Sequence, residues 1–170
     1  MKVLGIDPGS EVLGWGVIEG EGQKYQLVDF GTIKSSPRTQ FSKRLLKIAD
    51  GVEKLITQFQ PDVLSVEEAF YAVNVNVALK LGQVRGAVLV VAERAGLEIG
   101  EYAPRLIKQT VAGYGNAEKH QIQEMVRLLL KLKKIPEPHD AADALAAAIC
   151  HFHHAGMHDK IRKASAGKRK

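Results

Sequence analysis

Carboxylates occur in this sequence where one predicted element ends and another begins. Asp7 ends the apolar stretch KVLGID, Glu67 and Glu68 follow the apolar stretch VLSV, and Asp140 and Asp143 begin an alanine-rich stretch. Side chains three residues apart share one face of a helix, so the last two acids point the same way. Each position also has an ordinary explanation, as a helix N-cap, a turn former before Pro-Gly, or a solvated surface acid.

Convergence of these acids would require a cation or a bound proton. Two like charges about 4 Å apart repel by about 4 kcal/mol at an effective dielectric constant of 20. Oxygen-only ligands favour Mg²⁺ or Mn²⁺ over zinc, and Cys150 is the only cysteine in the chain. Carboxylates that hold two such metals about 4 Å apart hydrolyse phosphodiesters by in-line attack. The predicted chemistry is therefore metal-dependent phosphodiester hydrolysis, provided that the fold brings the acids together.

The elements that would position these acids alternate between strand and helix patterns. Short β-branched stretches predict strands over 2–7, 12–19, 25–34, 63–66 and 97–102. Apolar residues at helical spacing predict helices over 40–59, 75–95, 117–133 and from about 139 to 153. The segment 103–116 is polar and contains glycine, and no element is predicted there. This order indicates an α/β chain with a mixed sheet, built from hairpins first and helical crossovers later.

The predicted helix over 75–95 carries more apolar residues than one buried face needs. These residues are Leu79, Leu81, Val84, Val88 and Val91. Gly82 and Gly86 lie four residues apart on the same helix, where each glycine costs about 1 kcal/mol relative to alanine. We expect another backbone to pack closely against them, and we expect this helix to form the interface of a twofold dimer.

Charge divides the chain into a body and a tail. Residues 157–170 hold six Lys/Arg and one Asp, which equals the whole net charge of +5. Within the neutral body, residues 78–134 carry ten bases and five acids, which suits a protein that grips phosphates beside an acidic site. We predict one folded domain over 1–156 and a basic, disordered tail over 157–170.

The sequence indicates a cytoplasmic protein. The amino terminus lacks the apolar core of a signal peptide, and a single cysteine cannot form an internal disulfide framework. No apolar run approaches the roughly 18 residues that span a bilayer, so we predict no membrane helix. The histidines near the carboxyl terminus lie on different helix faces and predict no metal site.

Four sequence blocks together resemble the RuvC family of Holliday-junction resolvases. They are LGIDPGSEVLGWGVI, QPDVLSVEEAFYAVNVNVALKLGQVRG, KQTVAGYGNAEKHQIQEMV and HDAADALAAAICH, and they are distributed along the whole chain except its tail. The resemblance implies an RNase H-like fold with a mixed five-stranded sheet flanked by helices. It also implies a homodimer that resolves four-way DNA junctions by paired, Mg²⁺-dependent cuts in recombination and repair, beside a RuvA–RuvB branch-migration complex.

The resemblance assigns roles to the acids. The family's metal-binding carboxylates correspond to Asp7, Glu67, Asp140 and Asp143. In the implied mechanism Asp7 bridges two Mg²⁺ ions (Mn²⁺ would substitute), and cleavage leaves 5′-phosphate and 3′-hydroxyl ends. Glu68 falls where the family needs no carboxylate. Some relatives use histidine near position 139, so whether His139 or Asp140 is the ligand stays open.

The same blocks imply contacts to DNA. Lys108 and Lys119 match lysines near the scissile phosphates, and Lys119 is assigned a catalytic role. Phe70 matches an aromatic residue that stacks on unpaired bases at the crossover, with Tyr71 as a weaker candidate. Arg85 is a candidate phosphate contact. Without the motif context, these residues would be interpreted as solvated lysines and a core or surface phenylalanine.

Three other functions compete with a junction resolvase. The GIDPGSEVLGWGV block also resembles the phosphate loop of actin-like ATPases and sugar kinases. That fold needs two related domains and a second glycine-rich loop, so we expect no nucleotide binding here. A non-catalytic DNA-binding module would have no use for all four acids. An RNase H-like nuclease that acts on RNA is the nearest rival, and substrate competition would separate the two.

Overall fold

Five strands form one mixed sheet in the computed structural model, which describes residues 1–21, 24–68 and 74–167. The strands are β1 (Lys2–Asp7), β2 (Val12–Glu21), β3 (Lys24–Lys34), β4 (Val63–Glu67) and β5 (Glu98–Tyr102). Within the described residues the helices are α1 (Phe41–Phe59), α2 (Val75–Arg94), α3 (Pro104–Ala112), α4 (Lys119–Leu129) and α5 (His139–Gly167). The mixed sheet flanked by helices was predicted from the order of the sequence patterns.

The strand order places two predicted site residues next to each other. The order is β3-β2-β1-β4-β5, with β1 antiparallel to β2 and parallel to β4. In the β1–β4 register Ile6 lies opposite Val66, so Asp7 and Glu67 follow at the same level of the sheet. Neighbouring strands lie about 4.8 Å apart. The two acids therefore lie side by side at the carboxyl ends of two adjacent central strands.

Strand alternation decides which face these acids take. Leu4 and Ile6 are fully buried in the cluster formed with α1 and α2. Val3 is fully buried in the opposite cluster, formed with α3, α4 and α5. Successive side chains along a strand point to opposite faces. Asp7 and Glu67 therefore share the face of the sheet that α5 covers.

Two glycines allow α5 to lie directly on the sheet. A Cβ atom at Gly5 would overlap the carbonyl oxygen of Ala144, and one at Gly14 would overlap the carbonyl oxygen of Asp140. Alanines predominate on the buried side of α5, so the helix approaches β1 and β2 closely. The same approach brings the first turn of α5, with Asp140, to the end of β1.

The structure adds a helix that sequence patterning left out. α3 occupies Pro104–Ala112, within the segment for which no element was predicted. Proline at the first helical position and Gly113 in the left-handed conformation just past the end are signals that favour a helix there. Ile107 and Val111, four residues apart, are its buried side chains.

The last helix is longer than its sequence pattern indicated. α5 continues to Gly167, whereas the alanine-rich pattern ends near His153 and disorder was predicted for 157–170. Lysine, arginine and alanine are strong helix formers, so a helix can extend into this segment without an apolar face. The division into a nuclease domain and a basic tail stays a prediction.

α2 is apolar on more than its buried face. Its buried residues are Val84, Val88 and Ala92. By length and composition alone the helix could cross a membrane, because an 18-residue window has a mean hydropathy of 1.4, although only 17% of that window is buried. Lys80 and Arg85 interrupt the apolar residues of this helix, and the absence of a membrane helix stays a prediction. α2 packs one face on the sheet beside α1 and leaves its other faces partly exposed.

Candidate active site

Asp7 lies among the other predicted metal ligands. Burial raises the pKa of Asp7 from 3.8 to about 7, and the charges of Asp143, Glu67 and Asp140 add to the increase, while Lys119 lowers it. Such mutual repulsion requires the carboxylates to be close together. Acids from β1, β4 and α5 therefore converge, which is the condition on which metal-dependent chemistry was predicted.

Glu67 has a similar environment beside two lysines. Burial and the charge of Asp143 raise its pKa, whereas Lys108 and Lys119 lower it. α3 supplies Lys108 and α4 supplies Lys119 as its first residue. The two predicted DNA-contacting lysines thus lie near the acids, although their contact with DNA stays a prediction.

Lys119 is held in place by Asp143. Its Nζ lies 2.8 Å from Asp143 Oδ2, and this hydrogen bond raises the pKa of Lys119. A capping box between Glu118 and Gln121 begins α4 and orients its first turn. The ammonium thus neutralises one of the converging acids and remains exposed enough to meet an incoming phosphate.

The acids do not form a ready-made metal cage. Among the residues that the structure describes, no group of three His, Cys, Asp or Glu side chains is arranged to hold a metal ion. Asp143 is directed toward Lys119. The set still fits a hard divalent cation, because every donor is a carboxylate oxygen and the half-buried Asp7 lies among like charges. Metal binding would require these side chains to draw together.

The turn after Asp7 is fixed by a buried arginine. Arg44 of α1 donates from Nη2 to the carbonyl oxygen of Ser10, and its Nε lies 3.3 Å from Ser35 Oγ. Ser35 Oγ also donates to the Ser10 carbonyl at 2.8 Å. These bonds tie the turn to α1 and to the end of β3, and so restrict the chain that carries Asp7. No sequence motif indicated this role of Arg44.

Arg85 of α2 contacts the end of β4 beside the acids. Its Nε donates to the backbone carbonyl of Glu67 at 3.1 Å, and its guanidinium pairs with Glu101. A cleft of about 150 Å³ beside it is lined by Asp7, Pro8, Glu67, Glu68, Ala78, Leu81, Gly82 and Arg85. Sequence reasoning did not identify Glu101, which lies one residue before the end of β5 and belongs to no recognised motif. A phosphate contact by Arg85 stays a prediction.

The remaining predicted residues are placed as follows. Phe70 and Tyr71 lie outside the described residues. His139 is exposed at the start of α5, whereas Asp140 is close enough to Asp7 for its charge to raise the pKa of Asp7. The side chain of Glu68 is exposed, while its backbone N–H donates to the carbonyl of Tyr102 at 2.9 Å. Asp140 is thus the better placed of the two candidate ligands.

A wider cleft lies at the opposite end of β1. It has a volume of about 1420 Å³, and its lining includes Met1, Lys2, Tyr25 and Asp62. None of the converging acids lines it. We assign the chemistry to the end of β1 that borders the smaller cleft, because Asp7 and Glu67 line that cleft.

The position of Asp7 predicts how stability depends on pH. Between about pH 4 and about pH 7 the unfolded chain has lost the Asp7 proton and the folded chain still holds it. Stability of the metal-free protein should therefore fall as the pH rises through this window, by on the order of 1 kcal/mol per pH unit. Urea denaturation in EDTA across this range measures the slope.

Asp7→Asn should flatten this slope and stabilise the protein near neutral pH. Asp50→Asn, at an exposed position on α1, serves as the control and should leave the slope unchanged. Equal slopes in the wild type and Asp7→Asn would contradict the raised pKa of Asp7.

The chain is similar to known proteins over nearly its whole length. The family described as crossover junction endodeoxyribonuclease RuvC matches residues 3–151. The crossover junction endodeoxyribonuclease RuvC of Chloroflexus aggregans is 50% identical over 151 residues, which cover 89% of this chain and 92% of that protein. The Thermus thermophilus RuvC structure aligns with a TM-score of 0.84 at 41% identity, covering 92% of this chain and 96% of that one.

A second solved structure contains nucleic acid. Thermus thermophilus RuvC in complex with a Holliday junction substrate aligns with a TM-score of 0.87 at 40% identity, covering 92% of this chain and 96% of that one. These matches, with the mixed five-stranded sheet, confirm the RNase H-like fold that the motif resemblance implied.

Proposed function

Because the chain belongs to the RuvC family of crossover junction endodeoxyribonucleases, we propose that it resolves four-way DNA junctions by paired, symmetric cuts that depend on Mg²⁺. The observation that carries this proposal is the convergence of acids from β1, β4 and α5 around the half-buried Asp7. The Thermus thermophilus relative, which is 40% identical to this chain, has a solved structure in complex with a Holliday junction substrate. The cuts would leave 5′-phosphate and 3′-hydroxyl ends.

The residues that would hold the metal are Asp7, Glu67, Asp140 and Asp143. Oxygen-only donors favour Mg²⁺, with Mn²⁺ as a substitute, and the site would take two ions. When bound, these ions supply Lewis-acid activation of the attacking water and stabilise charge on the phosphate. Asp7 is adjacent to Glu67 on the neighbouring strand and feels the charges of Asp140 and Asp143 of α5, so it would hold the metal together with acids from both elements.

The lysines act on the DNA phosphates in this proposal. Lys119 exchanges its bond to Asp143 for a phosphate oxygen, which frees Asp143 as a ligand and places an ammonium at the charge that develops during cleavage. Lys108 holds the backbone beside Glu67. Phe70, outside the described residues, would stack on a base at the crossover and contribute about 1–3 kcal/mol.

Replacing Lys119 by methionine should slow junction cleavage by about a hundredfold, as removal of a group that stabilises developing charge does. Lys119 also lowers the pKa of Asp7, so the pH–rate profile of the variant should move to higher pH. Single-turnover cleavage across a pH series measures both effects. Lys131→Met, at an exposed position past α4, is the control. A slower cleavage rate with an unshifted pH–rate profile would contradict the influence of Lys119 on the pKa of Asp7.

A homodimer is part of the proposal, because one acidic site makes one cut and a resolved junction needs two. Four large apolar side chains of α2 are exposed: Val75 at 70%, Val77 at 46%, Leu79 at 59% and Val90 at 56%. A Cβ atom at Gly82 or Gly86 would meet nothing within 4 Å. This surface suits close packing against the same helix of a second copy. We also propose action in the cytoplasm beside a RuvA–RuvB complex.

Substrate competition tests the choice of nucleic acid. A labelled four-way junction is mixed with an excess of unlabelled junction, linear duplex or RNA–DNA hybrid of matched length. We expect only the unlabelled junction to suppress cleavage when the competitors are present at the same excess. Suppression by the hybrid would favour the rival nuclease that acts on RNA, and thermal stabilisation by ATP would favour an actin-like ATPase.

A further inference from the structure

Arg85 connects the end of the catalytic strand to two other elements. Its side chain is only 17% exposed, although it belongs to the otherwise partly exposed helix α2. Its Nε donates to the carbonyl oxygen of Glu67 at 3.1 Å, and its Nη2 pairs with Glu101 of β5. One guanidinium thus joins α2, β4 and β5 within one residue of a proposed metal ligand.

Both sides of the strand end are thereby fixed. On the β5 side the backbone N–H of Glu68 donates to the carbonyl of Tyr102 at 2.9 Å. The carbonyl of Glu67 is the last in β4, and Arg85 gives it a charge-assisted donor. Glu101 lies opposite Val66 in the β4–β5 register, so it shares the α2 face of the sheet and meets the guanidinium there.

We propose that Arg85 is a positioning residue that fixes the Glu67 carboxylate through its backbone, and that Glu101 holds Arg85 in place. The inference rests on the proposed function of Glu67 as a metal ligand. A direct phosphate contact would require Arg85 to leave Glu101, whose carboxylate already neutralises it. The planar fork of arginine can engage a carboxylate and a carbonyl together, and lysine cannot match that geometry.

The two roles of Arg85 predict opposite effects at Glu101. If Arg85 is a positioning residue, Arg85→Met and Glu101→Gln both disrupt the same ion pair, the one that holds the end of β4. Each should weaken Mn²⁺ binding to the DNA-free protein, by about tenfold for Arg85→Met, and the double variant should be no worse than Arg85→Met. In the phosphate role, Glu101→Gln would remove a competing negative charge and tighten junction binding.

Isothermal titration with Mn²⁺ alone, junction binding in Ca²⁺, and single-turnover cleavage are measured for the wild type and these variants. For Arg85→Met and Glu101→Gln we expect a lower Mn²⁺ affinity and a lower cleavage rate than for the wild type, with an unchanged junction Kd. Arg85→Lys should recover part of the Mn²⁺ affinity and of the cleavage rate. Arg94→Met, which removes the same charge from the exposed last turn of α2, is the control and should match the wild type.

Unaltered Mn²⁺ affinity in correctly folded Arg85→Met would overturn the positioning role. Weaker junction binding by Arg85→Met would also overturn it, if the salt dependence of that binding falls by about one phosphate contact and Glu101→Gln binds the junction more tightly. Failure of the proposed function gives a different result, because the wild type would then bind Mn²⁺ without cutting junctions. The Mn²⁺ titrations would decide the role of Arg85 in that case too.

Discussion

Asp7→Asn is expected to abolish junction cleavage while junction binding persists or tightens. The substitution removes the central carboxylate of the site, and several kcal/mol of transition-state stabilisation by metal correspond to at least about a thousandfold in rate. It also removes a negative charge that repels phosphate. Asp140→Asn should behave in the same way. Cleavage in Mg²⁺ and gel-shift binding in Ca²⁺ separate the two effects.

The neighbouring pair Glu67 and Glu68 supplies an internal control. Glu67 faces the acidic site, whereas the side chain of Glu68 is exposed. Glu67→Gln should therefore lose cleavage, and Glu68→Gln should retain most of it. Near wild-type cleavage by Asp7→Asn or Asp140→Asn would show that the acids have been assigned wrongly.

Gly86→Glu is expected to convert the proposed dimer into monomers that nick one strand at most. Nothing lies within 4 Å of a Cβ atom at this position within one chain, so the substitution should not disturb the fold. At an interface between two α2 helices, however, it would bury two uncompensated charges, which costs several kcal/mol. Light scattering at micromolar concentration and strand-specific cleavage measure the outcome.

The matched control places glutamate on another apolar surface position. Leu46 is 61% exposed on α1, and Leu46→Glu should leave the dimer and paired cutting intact. A monomeric wild type that still makes paired cuts would refute the dimer, as would a Gly86→Glu variant that remains dimeric.

The sequence predicted the elements better than their connections. Strand alternation, helical spacing and Pro-Gly turns are local signals, so β1 to β5 and the helices other than α3 were predicted within a few residues, apart from the end of α5. α3 was missed because Ile107 and Val111 form only one short apolar repeat in a polar segment. The extension of α5 past His153 was missed because its residues favour a helix by propensity rather than by amphipathic pattern.

Convergence of the acids depends on long-range packing, which no local pattern contains. Asp7 and Glu67 meet because β1 and β4 are parallel and in register, and Asp140 joins them because Gly14 lets α5 approach the sheet. The pairing of Lys119 with Asp143 and the contact of Arg85 with Glu67 depend on side-chain conformations after packing. The motif resemblance identified most of these residues without indicating which of them touch.

The most direct test labels each of the four strands of a synthetic junction at its 5′ end and maps every cut in Mg²⁺, in Ca²⁺ and in EDTA. We expect cuts in Mg²⁺ at symmetry-related positions in two opposing strands, with labelled fragments that end in a 3′-hydroxyl group and no product in EDTA. Cutting that proceeds without a divalent metal, or that falls on linear duplex as readily as on the junction, would contradict the proposed function.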